Sequence, residues 1–227
     1  MLCRAVAFVL VCVLAAGEFP ARAARVSVVG VVSEAMRANL ASANVSAGAT
    51  VYDGDSLSTA TDGLLRVRSG AAQFYLAGQS GVRMHSLVSG ALVQLTGGTM
   101  VFSAANSTAM DVQVAQAHIR PATNDPTVAQ ISIAGPKSID VHARRGALIF
   151  SYNGESQLVA EGFTYRFVLD PTDEELAVSA AAKAFPDQKL PRPQGKPRRG
   201  FLYLIIGATA FVTFLAVGEA LESPSKP

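Results

Sequence analysis

The sequence predicts an all-β fold, either an antiparallel sandwich or jelly-roll-like arrangement or a short solenoid, followed by one C-terminal transmembrane helix. Three observations carry this expectation. Between Val26 and Phe167, short runs rich in β-branched and aromatic residues recur at spacings of about a dozen residues or less, punctuated by glycine, asparagine and aspartate. Several runs alternate with period two: in "LLRVRS", Leu65, Val67 and Ser69 oppose Leu64, Arg66 and Arg68, and "DVQVAQAHI" does the same from Asp111 to Ile119. Residues 201–218 form an eighteen-residue stretch without a charge.

Residues 1–23 read as a secretory signal peptide. Arg4 precedes an apolar run from Ala5 to Ala16, and Ala21-Arg22-Ala23 supplies the small-residue ending at which cleavage is expected. Both cysteines, Cys3 and Cys12, fall inside this leader, so the exported chain is expected to hold no thiol for a disulfide, a metal or covalent catalysis. The β domain follows over residues 25–170. Its turns are expected at Asp53-Gly54, Asp62-Gly63, Ser69-Gly70, Gly97-Gly98 and Asn153-Gly154, dipeptides that tolerate the positive φ of tight hairpins. Near its start, "SEAMRANLA" lacks strand alternation and reads as a short helix or a loop.

Residues 171–184 predict a short helix, with Thr172 as cap and Asp173, Glu174 and Glu175 in the first turn. Residues 185–200 carry prolines 186, 191, 193 and 197 among basic residues, the composition of a stiff solvated linker. A transmembrane helix is expected over 201–221, its uncharged part 201–218 reaching about 27 Å at ~1.5 Å per residue against a hydrocarbon core of ~30 Å. A six-residue tail, 222–227, closes the chain. The basic residues from Lys189 to Arg199 precede the span, on the side opposite to the usual cytoplasmic bias if the β domain is exported.

The search for chemistry yields little. "YDGDSLSTATDG", residues 52–63, is rich in aspartate, but an EF-hand register begun at Asp53 puts Leu57, Ser58 and Leu64 where an oxygen ligand, a glycine and a bidentate glutamate are needed. The aspartates therefore read as turn formers, and no metal or cofactor is expected. His85, His118 and His142 stand without metal-ligand spacing, "GQSG" lacks the closing glycine of a nucleophile elbow, and no phosphate-cradling loop occurs. A carboxylate hydrolase would need a pair such as Asp140 and Glu161, which nothing in the pattern joins, so the chain is expected not to be an enzyme. A net charge of +2 without a one-sided basic face argues against a nucleic-acid partner.

"AGATVYDGDSLSTATDGLLRVRSGAAQFYLAGQSGVRM" resembles the FecR-type domain family, through Gly54-Asp55, Leu57, Thr59 and Gly63 followed by Leu65 and Val67. "VHARRGALIFSYNGESQLVAEGFTYRF" is similar to that family's closing pattern, with Glu161-Gly162 as its final turn. The resemblance covers about residues 45–168. It implies an extracytoplasmic β domain without catalytic residues, held at the bacterial inner membrane with the domain in the periplasm. The best-known family members regulate iron transport by controlling a sigma factor through a cytoplasmic N-terminal segment, and here a leader occupies that end. The expected function is binding of an envelope partner, a protein or a polysaccharide, with lipid contact through 201–218; the alternative is a transmembrane regulator of sigma-factor or anti-sigma type. The candidate partner-binding residues are Asp53, Asp55, Asp62, Phe74 and Tyr75.

Overall fold

The computed structural model describes residues 27–170 and 201–206. These residues are all-β. In chain order the strands are β1 (Val28–Leu40), β2 (Ala43–Asn44), β3 (Thr50–Tyr52), β4 (Ser56–Ser69), β5 (Ala72–Leu76), β6 (Gly81–Leu87), β7 (Gly90–Gly97) and β8 (Thr99–Ala104). They continue as β9 (Met110–Val114), β10 (Ala117–Pro121), β11 (Thr127–Gly135), β12 (Ser138–Arg145), β13 (Leu148–Tyr152), β14 (Glu155–Val159), β15 (Thr164–Leu169) and β16 (Phe201–Ile206).

All sixteen strands belong to one sheet that curls into a half-barrel. The long strand β4 is where it turns. Residues Ser56 to Ser58 pair with β6, whereas Leu65 to Ser69 pair with β5. One arm then runs through β6, β7, β9, β10 and β13 to β14, and the other through β5, β8, β11, β12 and β15 to β16. Every pairing is antiparallel except β7 with β9. The arms meet face to face through aromatic rings: Phe150 on β13 stacks on Phe167 of β15 with centroids 3.6 Å apart, and Phe201 of β16 meets both edge-on at 5.1 and 5.6 Å.

Period two decides which residues fill this interior. Leu65, Val67 and Ser69 are buried while Arg68 is exposed, as the alternation predicts. Phe74, Phe102, Phe150 and Phe167 are all fully buried, and each contributes up to about 3 kcal/mol of burial. Asn153-Gly154 forms the expected tight hairpin between β13 and β14, both residues at positive φ (49° and 76°).

Four expectations are corrected. The stretch "SEAMRANLA" is neither helix nor loop but the second half of β1. Two register shifts, between Val32 and Glu34 and between Met36 and Ala38, reset the phase of alternation there, and Arg37 sits at φ 48°. Asp62-Gly63 is not a hairpin but part of a bulge inside β4: Leu64 pairs with Met36 and Thr59 with Ala38, so residues 60–63 face Arg37 alone. A side chain at Gly63 would place its Cβ 2.5 Å from the Arg37 carbonyl oxygen, so that close approach needs glycine. The run "DVQVAQAHI" is two strands, β9 and β10, turned back on each other at Ala115 (φ 52°).

The fourth correction concerns the C-terminal end. Phe201 to Ile206, expected to open a transmembrane helix, form β16, paired in register with β15 from Thr164–Ile206 to Leu169–Phe201. The physical reason is that the alternate residues Phe201, Tyr203 and Ile205 find an apolar core to face. Among the described residues no helix is long and apolar enough to cross a membrane. The expected leader, the 171–184 helix, the 185–200 linker and residues 207–227 lie outside the described residues.

Candidate partner-binding surface

The Asp53-Gly54 turn joins β3 to β4, with Gly54 at φ 85°. Each flanking carboxylate is used to hold it. Asp55 Oδ2 accepts the Tyr52 N–H at 2.8 Å, and Asp53 Oδ1 accepts the Ser86 N–H at 2.9 Å. The main chain adds three more ties: Asp53 N–H to the Ser27 carbonyl at 2.9 Å, Gly54 N–H to that of Met84 at 2.8 Å, and Met84 N–H to that of Asp55 at 2.9 Å. The Ser27 hydroxyl donates to Ser86 Oγ at 3.2 Å, and His85 Nδ1 stands 3.4 Å from Asp53 Oδ1. Thus Asp53 and Asp55 are brought together as turn formers, fastening the start of β1 and the end of β6 to one corner. Among the described residues no three His, Cys, Asp or Glu side chains gather as a metal site requires.

The other three candidates lie elsewhere. Asp62, on the β4 bulge, pairs with Arg37 at 2.8 Å, but the two side chains are 69% and 61% exposed and the pair is worth well under about 1 kcal/mol. Phe74 is fully buried between Val67 and Phe102 in the ladder. Tyr75 points to the opposite face yet is also buried, in a second small cluster with Ala77, Val101 and Val128 against which Leu64 packs. Burial, and secondarily Glu34, pushes its phenol pKa up. Neither aromatic is presented to a partner, which corrects their selection as binding residues.

What reasoning from the sequence missed is the apolar surface of the Asp53 corner. Of the eight exposed large hydrophobics among the described residues, four belong to it: Val28, Tyr52, Leu87 and Val88. Val28 and Tyr52 are cross-strand partners on β1 and β3. Leu87, directly after the Ser86 that Asp53 holds, pairs with Gly90 at the end of the β6–β7 hairpin, and Val88 sits fully exposed in its two-residue loop. A signal was present, since "SLVSG" puts a leucine and a valine at a hairpin tip, where polar and turn-forming residues are the rule.

Elsewhere three pairs of polar side chains stand out. Asp140, nearly buried, takes Arg166 in a two-point grip at 2.6 and 2.7 Å, which raises the guanidinium pKa. Both carboxylate oxygens of Asp140 are therefore occupied, while Glu161 is exposed on the turn before β15. His142 Nδ1 lies 2.8 Å from Thr164 Oγ1, and burial lowers its pKa. His118 Nδ1 lies 3.2 Å from both oxygens of Asp111.

No family model matches the chain, and no curated protein matches it. Among solved structures it is similar to a crystal structure of a proposed anti-sigma factor from Parabacteroides distasonis ATCC 8503, at 11% identity and a TM-score of 0.43. That match covers 73% of this chain and 90% of the other. A likeness at this level carries no argument about function.

Proposed function

We propose that the chain is an exported, non-enzymatic binding module of the bacterial cell envelope, a FecR-type all-β domain that docks a protein partner on the corner formed by Val28, Tyr52, Leu87 and Val88. The observation that carries this reading is the gathering of these four exposed apolar side chains by the turn that Asp53 and Asp55 brace. A rigid turn lowers the entropic cost of presenting apolar groups to a partner. Aliphatic side chains at the hairpin tip favour a protein over a polysaccharide, because a protein partner offers more apolar surface against which Leu87 and Val88 can be buried.

In this reading residues 1–23 export the chain and the domain lies in the periplasm at the inner membrane. Since β16 uses residues 201–206, the uncharged run left for lipid is 207–218, twelve residues against the ~20 of a full span. The proposed attachment is therefore to one leaflet. A photoreactive residue at position 88 or 52 in intact cells should give one discrete protein adduct, whereas one at position 157 on β14 should not. Leu87→Asp should abolish the adduct without lowering Tm. Adducts of equal yield at all three positions, or protection of the domain from protease added to spheroplasts, would sink the reading. An adduct containing a sigma-factor regulator would turn it into the regulatory alternative.

A further inference from the structure

At the end of the half-barrel away from the chemistry discussed so far, the two arms leave a cleft of about 440 Å3 between β7 and β9 on one side and the β11–β12 hairpin with the end of β15 on the other. Its floor is apolar, from Leu95, Val114, Ile133, Ile139 and Leu169, and Gln94, Thr96 and Lys137 stand around it. The walls are tied to the rest of the fold. The Leu169 N–H donates to the Lys137 carbonyl at 2.8 Å, and the Ile133 N–H to the Gly98 carbonyl at 3.0 Å. Lys137 is the one charged side chain of the lining among the described residues. Its Nζ contacts the Asp170 carbonyl oxygen at 3.4 Å, and among the described residues no carboxylate pairs with it. The Asp170 carboxylate is engaged instead with the Tyr152 hydroxyl at 2.7 Å.

We propose that this cleft binds a single-chain amphiphile bearing one negative head group, with its hydrocarbon tail on the apolar floor and its anion at Lys137. Three features converge on that ligand. The volume falls within the range of small-molecule sites, and the floor is apolar. An ammonium has three donors, and a single long contact to a carbonyl leaves capacity for an anion. Among the described residues the lining holds no second charge, which disfavours zwitterions and polyanions such as nucleotides, since these would leave charges unmatched on an apolar floor.

The test uses the full chain with labelled Ile and Leu methyl groups, titrated with octanoate, decanoate and, as neutral control, octanol, all below micelle formation. Saturable shifts confined to Leu95, Ile133, Ile139 and Leu169 are expected, with decanoate tighter than octanoate by up to about fourfold per added methylene. Lys137→Gln should weaken both carboxylates by about two- to fivefold and leave octanol unchanged. Thr96→Phe, at an exposed position beside the mouth, should block all three ligands while leaving the melting temperature in place. The proposal is overturned if no shift saturates, if octanol binds as tightly as octanoate in the unaltered chain, if Lys137→Gln affects octanoate and octanol alike, or if the shifts spread to Leu87 and Leu158.

Discussion

Phe201→Ala separates the strand reading of residues 201–206 from the helix that hydropathy suggests. Phe201 is 8% exposed and its ring lies 5.1 Å from that of Phe150 and 5.6 Å from that of Phe167. Truncating a buried phenylalanine to alanine costs about 3 to 5 kcal/mol in a closed core; on an outer strand, where neighbours can relax, about 3 kcal/mol is expected. For a chain of this size about 1 kcal/mol moves Tm by roughly 2–4 °C, so the transition should fall by roughly 6–12 °C. The assay is thermal unfolding followed by far-ultraviolet circular dichroism on the full chain. Leu204→Ser is the companion, since Leu204 is 53% exposed and faces outward on the same strand, and it should shift Tm by only about a degree. If Phe201→Ala leaves Tm unchanged while Phe150→Ala lowers it, residues 201–206 are no part of the fold and the assignment of β16 is wrong.

Four further substitutions probe the interior. Arg166→Met strands the Asp140 carboxylate, whose side chain is 7% exposed; because Arg166 itself is 43% exposed and water can follow it out, a loss of about 2 kcal/mol is expected in urea unfolding. Asp140→Asn, which frees a half-solvated guanidinium instead, should cost about 1 kcal/mol, and the reverse order would contradict this account of the pair. His142 has its pKa lowered from 6.5 by burial, so the unfolded chain takes up a proton before the folded one as pH falls. Stability should therefore be full above pH 6.5 and decline as pH drops through the lower folded value, and His142→Gln should flatten that part of the urea-midpoint profile. Gly63→Ala would set a Cβ 2.5 Å from the Arg37 carbonyl and 2.7 Å from the Ala60 nitrogen, and should cost about 1–3 kcal/mol in the same assay.

The all-β architecture was legible because long stretches of strand keep a period-two phase, as Leu65, Val67 and Ser69 do in the second half of β4. Where the phase is reset, the signal fails. β1 carries two register shifts and so read as helix or loop, and the β9–β10 hairpin turns at Ala115, a residue that carries no turn preference in the sequence. At the candidate surface, Asp53-Gly54 was legible as a turn since both its residues suit that geometry. Phe74 and Tyr75 were misjudged for another reason. Alternation predicts that neighbours on a strand face opposite ways, and they do, but β5 lies between β4 and β8 with apolar residues on both faces, so both directions are inside.

The same limit explains residues 201–218. A hydropathy sum adds both faces of a segment and cannot distinguish an apolar helix from a strand that is apolar on each side. In "FLYLII" the inward set is Phe201, Tyr203 and Ile205 and the outward set is Leu202, Leu204 and Ile206, so no polar residue marks the strand. What decides is the partner. A helix in lipid would satisfy its own amides equally well, but it would give up the six-residue register with β15 and the two edge-on contacts of Phe201 with Phe150 and Phe167. In the proposed reading a C-terminal tether starts after Ile206, and an attachment resting on the twelve uncharged residues 207–218 should be released by conditions that strip interfacial segments and leave full spans in place.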